Sequence, residues 1–363
     1  MKGKQTALLI TPYTGGGMVQ YAAQMANALS RRLDIVQIVG KGADKSMFDD
    51  KIQLHELCVP ESTSELGLSL FTTLRKLRNT IRAQSIDIVH LTARHQLFLA
   101  LIPALRSKPL VYTLHDVNAH SGEYHLTGEI VDRLLVNIAD RVLVHGDYNR
   151  QAFAEKHGKI EKCESIMHGE YSFFNNYCET DDDYTTPELL FFGRIRPYKD
   201  LKTLVEAERL LLERIDDYRL TIAGDGPIDE ETARKIAARD TITLLNSYIP
   251  NEEVCELFNR CRAVVLPYRD ASQTGVVPIA YSFEKPVIAS NVGGIPDVVD
   301  HGTTGYLVEP ERSVELADRC EALLRDPSLA RELGQQADGF RREHMDWNSI
   351  AREIITCYRQ IAR

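Results

Sequence analysis

Short apolar runs alternate along the chain with longer amphipathic stretches, a pattern typical of parallel α/β proteins. Several runs are apolar at every position, such as Leu8-Leu9-Ile10 and Val142-Leu143-Val144, as expected of strands that helices cover on both faces. The predicted strands fall into two sets, namely 7–10, 35–39, 86–90, 110–114, 141–145 and 163–167, then 189–192, 220–223, 242–245, 263–266, 287–290 and 306–308. The pattern therefore predicts two doubly wound α/β units in succession.

A polar segment separates the two sets of strands. Residues 175–187 are rich in Asn, Asp and Thr and end in Pro187, a composition typical of an exposed connection. We therefore expect a first domain over 1–172, a linker over 173–187 and a second domain over 188–346.

The end of the chain predicts one more amphipathic helix, over about 347–363. Ile350, Ile354 and Tyr358 recur at helical spacing after Asp346, a residue suited to cap a helix N-terminus. Periodicity leaves open which of the two domains this helix covers.

Composition narrows the classes of function. The chain has 363 residues and a formal net charge of -9, which argues against general nucleic-acid binding because that needs a broad basic face. The first apolar run, 7–10, is too short for a signal peptide, and no run is long enough to span a bilayer. The seven cysteines are scattered without a Cys-x-x-Cys pair, which indicates reduced thiols rather than a disulfide framework or a zinc site. We expect a cytoplasmic protein.

The most informative motif follows the strand predicted at 189–192. Gly193 permits a sharp turn, and Arg194 and Lys199 follow at the carboxyl end of a parallel strand, where open α/β sheets bind ligands. A guanidinium and an ammonium together suit a diphosphate. By itself the segment is equally consistent with a solvated basic turn.

A second phosphate-binding segment follows the strand at 263–266. A helix should begin near Gly275, because Pro278 is tolerated only in the first turn of a helix. The backbone N–H groups of Thr274, Gly275 and Val276 would then be free to bind an anion, and Ser272 adds a hydroxyl. In a doubly wound sheet this segment would lie opposite the basic turn at 193–199, so the two features support each other.

Two further glycine turns follow predicted strands. Gly16 and Gly17 open a helix after the first strand and would let a phosphate or sugar approach the backbone closely. Gly224 and Gly226 end the strand at 220–223 and are candidates for contact with the nucleotide or sugar. A purely structural turn is the alternative in both places, and it is favoured for the second pair.

His115 follows the strand at 110–114 and is a candidate polar contact or proton carrier, with Asp116 and His120 beside it. A single histidine is more often structural. The spacing of His115, His120 and His125 matches no metal-ligand pattern, so no metal is expected.

The predicted helix 70–82 carries Arg75, Arg78 and Arg82 on one stripe beside its apolar side. The stripe is consistent with contact to an anionic membrane or a phosphorylated acceptor. An ordinary solvated helix face is the favoured interpretation.

Taken together, these motifs resemble the retaining nucleotide-sugar glycosyltransferases of family 4, over nearly the whole chain. The segments 285–289 and 293–299 extend the resemblance. It implies a GT-B fold, in which two Rossmann-like domains face each other across a cleft and the C-terminal helix returns to the first domain. It also implies that Arg194 and Lys199 bind the donor diphosphate, that the first domain binds the acceptor, and that His115 lies beside the transferred sugar.

One departure concerns the nucleotide. Family members usually carry Glu-x7-Glu in a segment that aligns here with Ala271 and Ile279, and the second glutamate holds the ribose. Because both carboxylates are missing, the choice between a UDP-linked and a GDP-linked donor stays open.

We expect a metal-independent retaining glycosyltransferase with no cofactor beyond its nucleotide-sugar co-substrate. The acceptor would be a glycan or a lipid-linked hydroxyl in surface-polysaccharide or glycolipid assembly. A nucleotide-sugar epimerase of the same fold is an alternative, although the sequence offers no strong set of acid/base carboxylates. A non-catalytic nucleotide-sugar-binding partner of a transferase is another, motivated by the missing glutamates.

Overall fold

The computed structural model describes residues 4–58, 68–118, 126–179, 184 and 186–362. The chain divides into two compact units. Among the described residues, unit 1 contains 4–58, 68–118, 126–169 and 346–362, and unit 2 contains 170–179, 184 and 186–345.

Unit 1 is built on a seven-stranded parallel sheet in the order β3-β2-β1-β4-β5-β6-β7. Its strands are β1 (Thr6–Thr11), β2 (Asp34–Gly40), β3 (Gln53–Leu57), β4 (Ile88–Leu91), β5 (Leu110–Thr113), β6 (Arg141–His145) and β7 (Cys163–Ile166). Its helices are α1 (Gly17–Ser30), α2 (Leu68–Arg82), α3 (Leu97–Leu105), α4 (Leu126–Ile138), α5 (Gly146–His157) and α12 (Trp347–Ile361).

Helices cover both faces of this sheet, as its continuous apolar strands predict. Successive side chains of a strand point to opposite faces, so Leu8 and Leu9 belong to different hydrophobic cores. The first core is completed by α2, α3 and α4, and the second by α1 and α12.

The helix predicted at the end of the chain is confirmed as α12. The Asp346 carboxylate caps it by accepting a hydrogen bond of 2.8 Å from the backbone N–H of Ser349. The helix packs against α1 in unit 1, which decides the question that periodicity left open.

Strand β3 was absent from the sequence prediction. It lies at the edge of the sheet and pairs only with β2, so a strict apolar pattern is not required of it. Its sequence, Gln-Leu-His-Glu-Leu, is accordingly mostly polar.

Unit 2 is built on a six-stranded parallel sheet in the order β10-β9-β8-β11-β12-β13, and all six predicted strands are present. They are β8 (Glu188–Phe192), β9 (Arg219–Ala223), β10 (Ile242–Leu245), β11 (Ala263–Leu266), β12 (Val287–Ser290) and β13 (Gly305–Val308). The helices are α6 (Leu201–Leu212), α7 (Glu230–Ala237), α8 (Asn251–Arg260), α9 (Val276–Ser282), α10 (Ser313–Arg325) and α11 (Pro327–His344).

The structure differs from the prediction of an exposed linker over 173–187. Phe174 and Tyr184 are buried, and a short 3-10 helix at Ser172–Asn176 contacts α8 and α9. A disulfide joins Cys178 to Cys255 of α8. The prediction that the cysteines are all reduced is therefore wrong for this pair, because two cysteines far apart in sequence meet when the segment folds onto α8.

Candidate functional sites in the two units

Each sheet reverses its winding direction once. The reversal lies between β1 and β4 in unit 1 and between β8 and β11 in unit 2. Open α/β sheets bind ligands beyond the carboxyl ends of the strands at such a point, since the flanking loops diverge there. The motifs predicted to carry chemistry follow β1, β8 and β11, together with β5 and β9.

In unit 2 the basic turn after β8 meets the segment before α9. A Cβ atom built on Gly193 would lie 2.9 Å from Lys199 Nζ and 3.7 Å from Val276 Cγ2. The two segments predicted to bind phosphate therefore converge on the Gly193 backbone. Gly193 has a φ of 105°, which disfavours any residue with a side chain.

The Lys199 side chain is largely withdrawn from water, with 8% of its surface exposed. Its Nζ atom lies 5.0 Å from the ring centre of Tyr268 and 6.0 Å from that of Phe191. Aromatic faces stabilise the ammonium in this position. Partial removal from water also strengthens its attraction to an anion, because screening is weaker. Arg194, in contrast, is exposed.

The loop before α9 is held by backbone packing. Ser272 is buried, and the N–H of Gly294 donates a hydrogen bond of 3.1 Å to the carbonyl of Ala271. The predicted set of free N–H groups needs a correction at Val276, because its N–H donates to Thr274 Oγ1 at 3.2 Å. Helix α9 begins at Val276, close to the predicted start at Gly275.

Gly224 and Gly226 allow two loops of unit 2 to touch. A Cβ atom on Gly224 would collide with the carbonyl of Gly193, and one on Gly226 with the carbonyl of Ile195. The side-chain amide of Asn246 also bonds both the N–H and the carbonyl of Gly226, each at 3.1 Å. The structure thus gives both glycines a packing role that holds the basic turn in place.

Two buried tyrosines beside this site were missed by the sequence analysis. The Tyr171 hydroxyl would lie 3.5 Å from a Cβ atom built on Gly275, and the Tyr268 ring packs against Lys199. Burial raises the pKa of both phenols, which keeps them protonated. Tyr268 comes two residues after β11 and could have been found from its position at a strand end. Tyr171 carried no such signal.

Apolar, buried residues occupy the two positions where family members usually carry glutamates. Ala271 and Ile279 are both buried. Neither offers a carboxylate to a ribose or to a reacting carbon.

In unit 1, His115 is buried after β5, and its Nε2 atom lies 2.8 Å from the carbonyl oxygen of Thr92. A carbonyl can only accept, so Nε2 carries the proton and Nδ1 is an acceptor. Nδ1 has no hydrogen-bond partner among the residues that the structure describes. Burial lowers the pKa of His115, so the ring is neutral near pH 7.

Two further histidines that the sequence analysis missed surround His115. His145 ends β6 and His168 follows β7, with ring centres 5.1 Å from His115 to His145 and 4.9 Å from His145 to His168. The Tyr21 ring of α1 contacts all three. Burial lowers the pKa of His145 well below its usual value and that of His168 to about 4. Three neighbouring strands thus each deliver one neutral histidine.

The glycine loop after β1 is open. Cβ atoms built on Gly15, Gly16 and Gly17 would meet no atom within 4 Å, and Gly16 has a φ of 68°. A ligand could therefore approach this backbone closely. Asp116 is half-buried next to His115, whereas His120 lies outside the described residues.

Metal-binding clusters and membrane-spanning helices are both absent from the described part of the chain. No group of three or more His, Cys, Asp or Glu side chains there could hold a metal ion. No helix there combines the length and apolar character needed to cross a membrane.

Comparison with known families accounts for both units. The family model for Glycosyltransferase Family 4 matches residues 15–169, and the model for Glycosyl transferases group 1 matches residues 186–326. The chain belongs to the family 4 glycosyltransferases. Its motifs after β1, β5, β8, β9 and β11 all lie within the matched segments.

Curated relatives of this glycosyltransferase match over different lengths. An alpha-D-kanosaminyltransferase of Streptomyces kanamyceticus is 30% identical over 178 residues, which are 48% of this chain and 46% of the relative. The match thus spans about half the length of that relative, and the same holds for a D-inositol 3-phosphate glycosyltransferase of Pseudarthrobacter chlorophenolicus. An uncharacterised glycosyltransferase of Haemophilus influenzae is 22% identical over 330 residues, covering 89% of this chain and 91% of that protein.

Solved structures show that the glycosyltransferase has the GT-B fold. Anabaena HepE in complex with UDP-glucose superimposes with a TM-score of 0.76 at 19% identity, covering 98% of this chain and 99% of that one. Sucrose-phosphate synthase from Thermosynechococcus elongatus gives a TM-score of 0.75 at 20% identity with the same coverage.

Proposed function

We propose that this chain is a retaining glycosyltransferase that moves a sugar from a nucleoside diphosphate to a hydroxyl acceptor. The observation that carries the proposal is the position of Lys199, whose ammonium lies against the Gly193 backbone beside Val276. An ammonium held at that point suits a diphosphate. The UDP and UDP-glucose bound by HepE support a nucleotide-sugar donor, with UDP as the first candidate and GDP as the second.

The proposed chemistry concerns the bond between the anomeric carbon and the diphosphate oxygen. As this bond breaks, negative charge grows on the diphosphate, and Lys199 and Arg194 stabilise it in the transition state. The acceptor oxygen bonds to the anomeric carbon from the same face, and its proton passes to the departing diphosphate oxygen. Ala271 and Ile279 offer no carboxylate for a covalent intermediate.

His115 has a separate role in this proposal. Its Nδ1 atom is an acceptor in a neutral ring, so it would orient a hydroxyl of the transferred sugar rather than donate a proton. No metal or other cofactor takes part.

The proposal also includes the setting of the reaction. The acceptor is a glycan or a lipid-linked hydroxyl in surface-polysaccharide or glycolipid assembly. The protein works in the cytoplasm at the inner face of the membrane, with peripheral contact through the basic helix 70–82.

The experiment that tests the function starts from binding. UDP, GDP, ADP and dTDP are screened by thermal shift, since a ligand stabilises the folded protein by its binding free energy. The matching nucleotide sugar is then supplied, and slow nucleotide release is followed. Release of the nucleotide indicates transfer of the sugar to water. Inversion of a sugar stereocentre without nucleotide release indicates an epimerase, and nucleotide-sugar binding without either reaction indicates a non-catalytic partner.

Variants connect the activity to the site. Lys199→Ala and Arg194→Ala should each lower kcat by on the order of a hundredfold, because each removes a transition-state charge contact. Lys202→Ala is the matched control, since Lys202 is exposed on the adjoining helix α6. A near-normal kcat in both site variants would refute the diphosphate assignment.

A further inference from the structure

Arg269 connects the two segments of unit 2 that are proposed to bind the diphosphate. It lies in the loop after β11, ahead of Thr274 and Gly275, and β11 pairs with β8. Its backbone N–H donates a hydrogen bond of 2.7 Å to the carbonyl oxygen of Tyr198, in the turn that carries Lys199. The loop after β11 is therefore attached to the turn after β8 directly beside the residue that bears the ammonium.

The Arg269 guanidinium makes a second connection to the same turn. Its Nη2 atom donates a hydrogen bond of 3.0 Å to Asp200 Oδ1, and its Nε atom lies 3.0 Å from Asp200 Oδ2. Two contacts from one guanidinium to one carboxylate fix the orientation of both groups. The Asp200 side chain is 1% exposed and that of Arg269 is 43% exposed. Because Asp200 directly follows Lys199, this ion pair, here named the clamp, holds the backbone next to the ammonium.

Asp200 has a backbone conformation that needs support from its surroundings. Its φ of 49° and ψ of 56° are left-handed, which is rare for residues with a side chain, although Asp tolerates it better than most. Asp200 also ends the short 3-10 helix Pro197–Lys199 and caps α6, where its carboxylate accepts a hydrogen bond of 2.6 Å from Thr203 Oγ1. The path of the chain at Lys199 thus depends on one buried carboxylate.

The charge of Arg269 has a further effect on the site. A buried carboxylate without a partner would repel a diphosphate and would compete for the neighbouring Lys199 ammonium, because screening is weak away from water. Arg269 supplies the opposite charge to Asp200. Its Nε atom also lies 3.0 Å from Glu311 Oε1, but the Glu311 side chain is 62% exposed, so water screens that contact.

We infer that Arg269 is a positioning residue for the donor diphosphate and acts through Asp200 on the Lys199 ammonium. The clamp fixes the left-handed turn that places Lys199, and the guanidinium neutralises the carboxylate beside it. Arg269 does not itself bind the diphosphate, because its Nε and Nη2 atoms are already bonded to Asp200. The inference deepens the proposed function and rests on it, since Lys199 is the diphosphate ligand there.

A double-mutant cycle tests whether Arg269 acts through Lys199. Calorimetric titration with UDP, or with GDP if GDP gives the larger thermal shift, should show that Arg269→Gln raises Kd about tenfold, as expected when one charge-assisted contact is displaced. In the Lys199→Ala background the same substitution should raise Kd by about threefold or less, because only repulsion by Asp200 remains. Additive effects would show that Arg269 binds the donor directly and would overturn the inference.

Asp200→Asn supplies a second test. Asparagine tolerates the left-handed turn but carries no charge, so adding Asp200→Asn to Arg269→Gln should restore part of the affinity for UDP. A merely structural role predicts the opposite, because loss of both sides of the clamp would damage the turn further. Affinity in the double variant that is no better than in Arg269→Gln would contradict the inference.

The matched control is the ion pair of Arg260 and Glu188 in the same unit. Arg260 Nη2 donates a hydrogen bond of 3.0 Å to Glu188 Oε1, and the two side chains are 50% and 3% exposed, much like those of the clamp. Glu188 begins β8, whereas Lys199 follows the end of that strand. Arg260→Gln should therefore lower Tm as Arg269→Gln does but leave the Kd for UDP unchanged. A similar loss of affinity in both variants would show a general effect of lost stability and refute the positioning role.

Lysine labelling distinguishes a failure of this inference from a failure of the proposed function. Acetic anhydride acetylates exposed lysines faster than buried ones, and peptide mass spectrometry measures buried Lys199 and exposed Lys202 separately. Without nucleotide, Arg269→Gln should raise the labelling rate of Lys199 at least about threefold and leave that of Lys202 unchanged. An unchanged rate at Lys199 would overturn the inference whether or not a nucleotide binds. If the rate rises as expected while neither UDP nor GDP binds the parent chain, Arg269 still positions Lys199, and it is the proposed function that fails.

Discussion

Replacing Gly193 by alanine should weaken donor binding because it displaces the Lys199 ammonium, and not because it destabilises the fold. The new Cβ atom would lie 2.9 Å from Lys199 Nζ, closer than a carbon and an ammonium can approach, so the ammonium must move. Loss of one charge-assisted hydrogen bond costs about 1.5–3 kcal/mol, which is roughly a tenfold to hundredfold increase in Kd. The φ of 105° adds about 1–3 kcal/mol of backbone strain in the folded state.

Gly302→Ala separates these two effects. Gly302 also lies in unit 2 and has a φ of 82°, but a Cβ atom there meets nothing within 4 Å. Both variants should therefore lose a similar roughly 2–12 °C in Tm, while only Gly193→Ala loses affinity. Calorimetric titration with the nucleoside diphosphate that gives the largest thermal shift measures the difference. Equal affinities in the two variants would refute the assigned position of the ammonium.

Four further expectations concern other parts of the molecule. His115→Ala should reduce transfer more than nucleotide affinity, because the diphosphate contacts lie in unit 2; kinetics and titration on the same sample compare the two. Activity should persist in excess EDTA, and loss restored by Mg²⁺ or Mn²⁺ would contradict this. Burial lowers the pKa of His90 to about 3 in the folded protein, whereas the pKa is 6.5 in the unfolded chain. The contribution of His90 to the free energy of unfolding is therefore complete above pH 6.5 and is lost as the pH falls below that value. Urea titrations should show that the free energy of unfolding falls between about pH 7.5 and about pH 5. The fall should be roughly 2 kcal/mol smaller in His90→Gln than in the parent chain. The disulfide of Cys178 and Cys255 closes a long loop across 77 residues, so Cys178→Ser should lower the free energy of unfolding by about 4 kcal/mol in guanidinium titrations, whereas Cys58→Ser at an exposed free thiol should not.

Local pattern was sufficient for most of the framework. Buried parallel strands are apolar at nearly every position, so twelve strands could be predicted, and their ends placed Gly193, Lys199 and His115 at the ligand-binding edges of the sheets. Edge strand β3 was not predicted from the sequence, because only one neighbouring strand pairs with it and its side chains are mostly polar.

Contacts between residues far apart in sequence needed the folded chain. An amphipathic helix signals that it covers a surface but not which one, so periodicity alone left the docking of α12 open. The family resemblance implied the first domain, and the folded chain identifies α1 as the helix that α12 packs against. The same holds for Cys178 and Cys255, which carry no spacing signal.

The histidines of unit 1 show most clearly what the sequence predicts and what only the folded chain decides. His115, His145 and His168 are separated by 30 and 23 residues, and no metal or catalytic spacing connects them. Each follows or ends a strand, and the sheet order β5-β6-β7 then brings the three rings together around Tyr21. The sequence alone predicts that each histidine lies at the end of a strand. Strand pairing and register decide that the three side chains meet, because hydrogen bonding between strands is set by the packing of the whole unit.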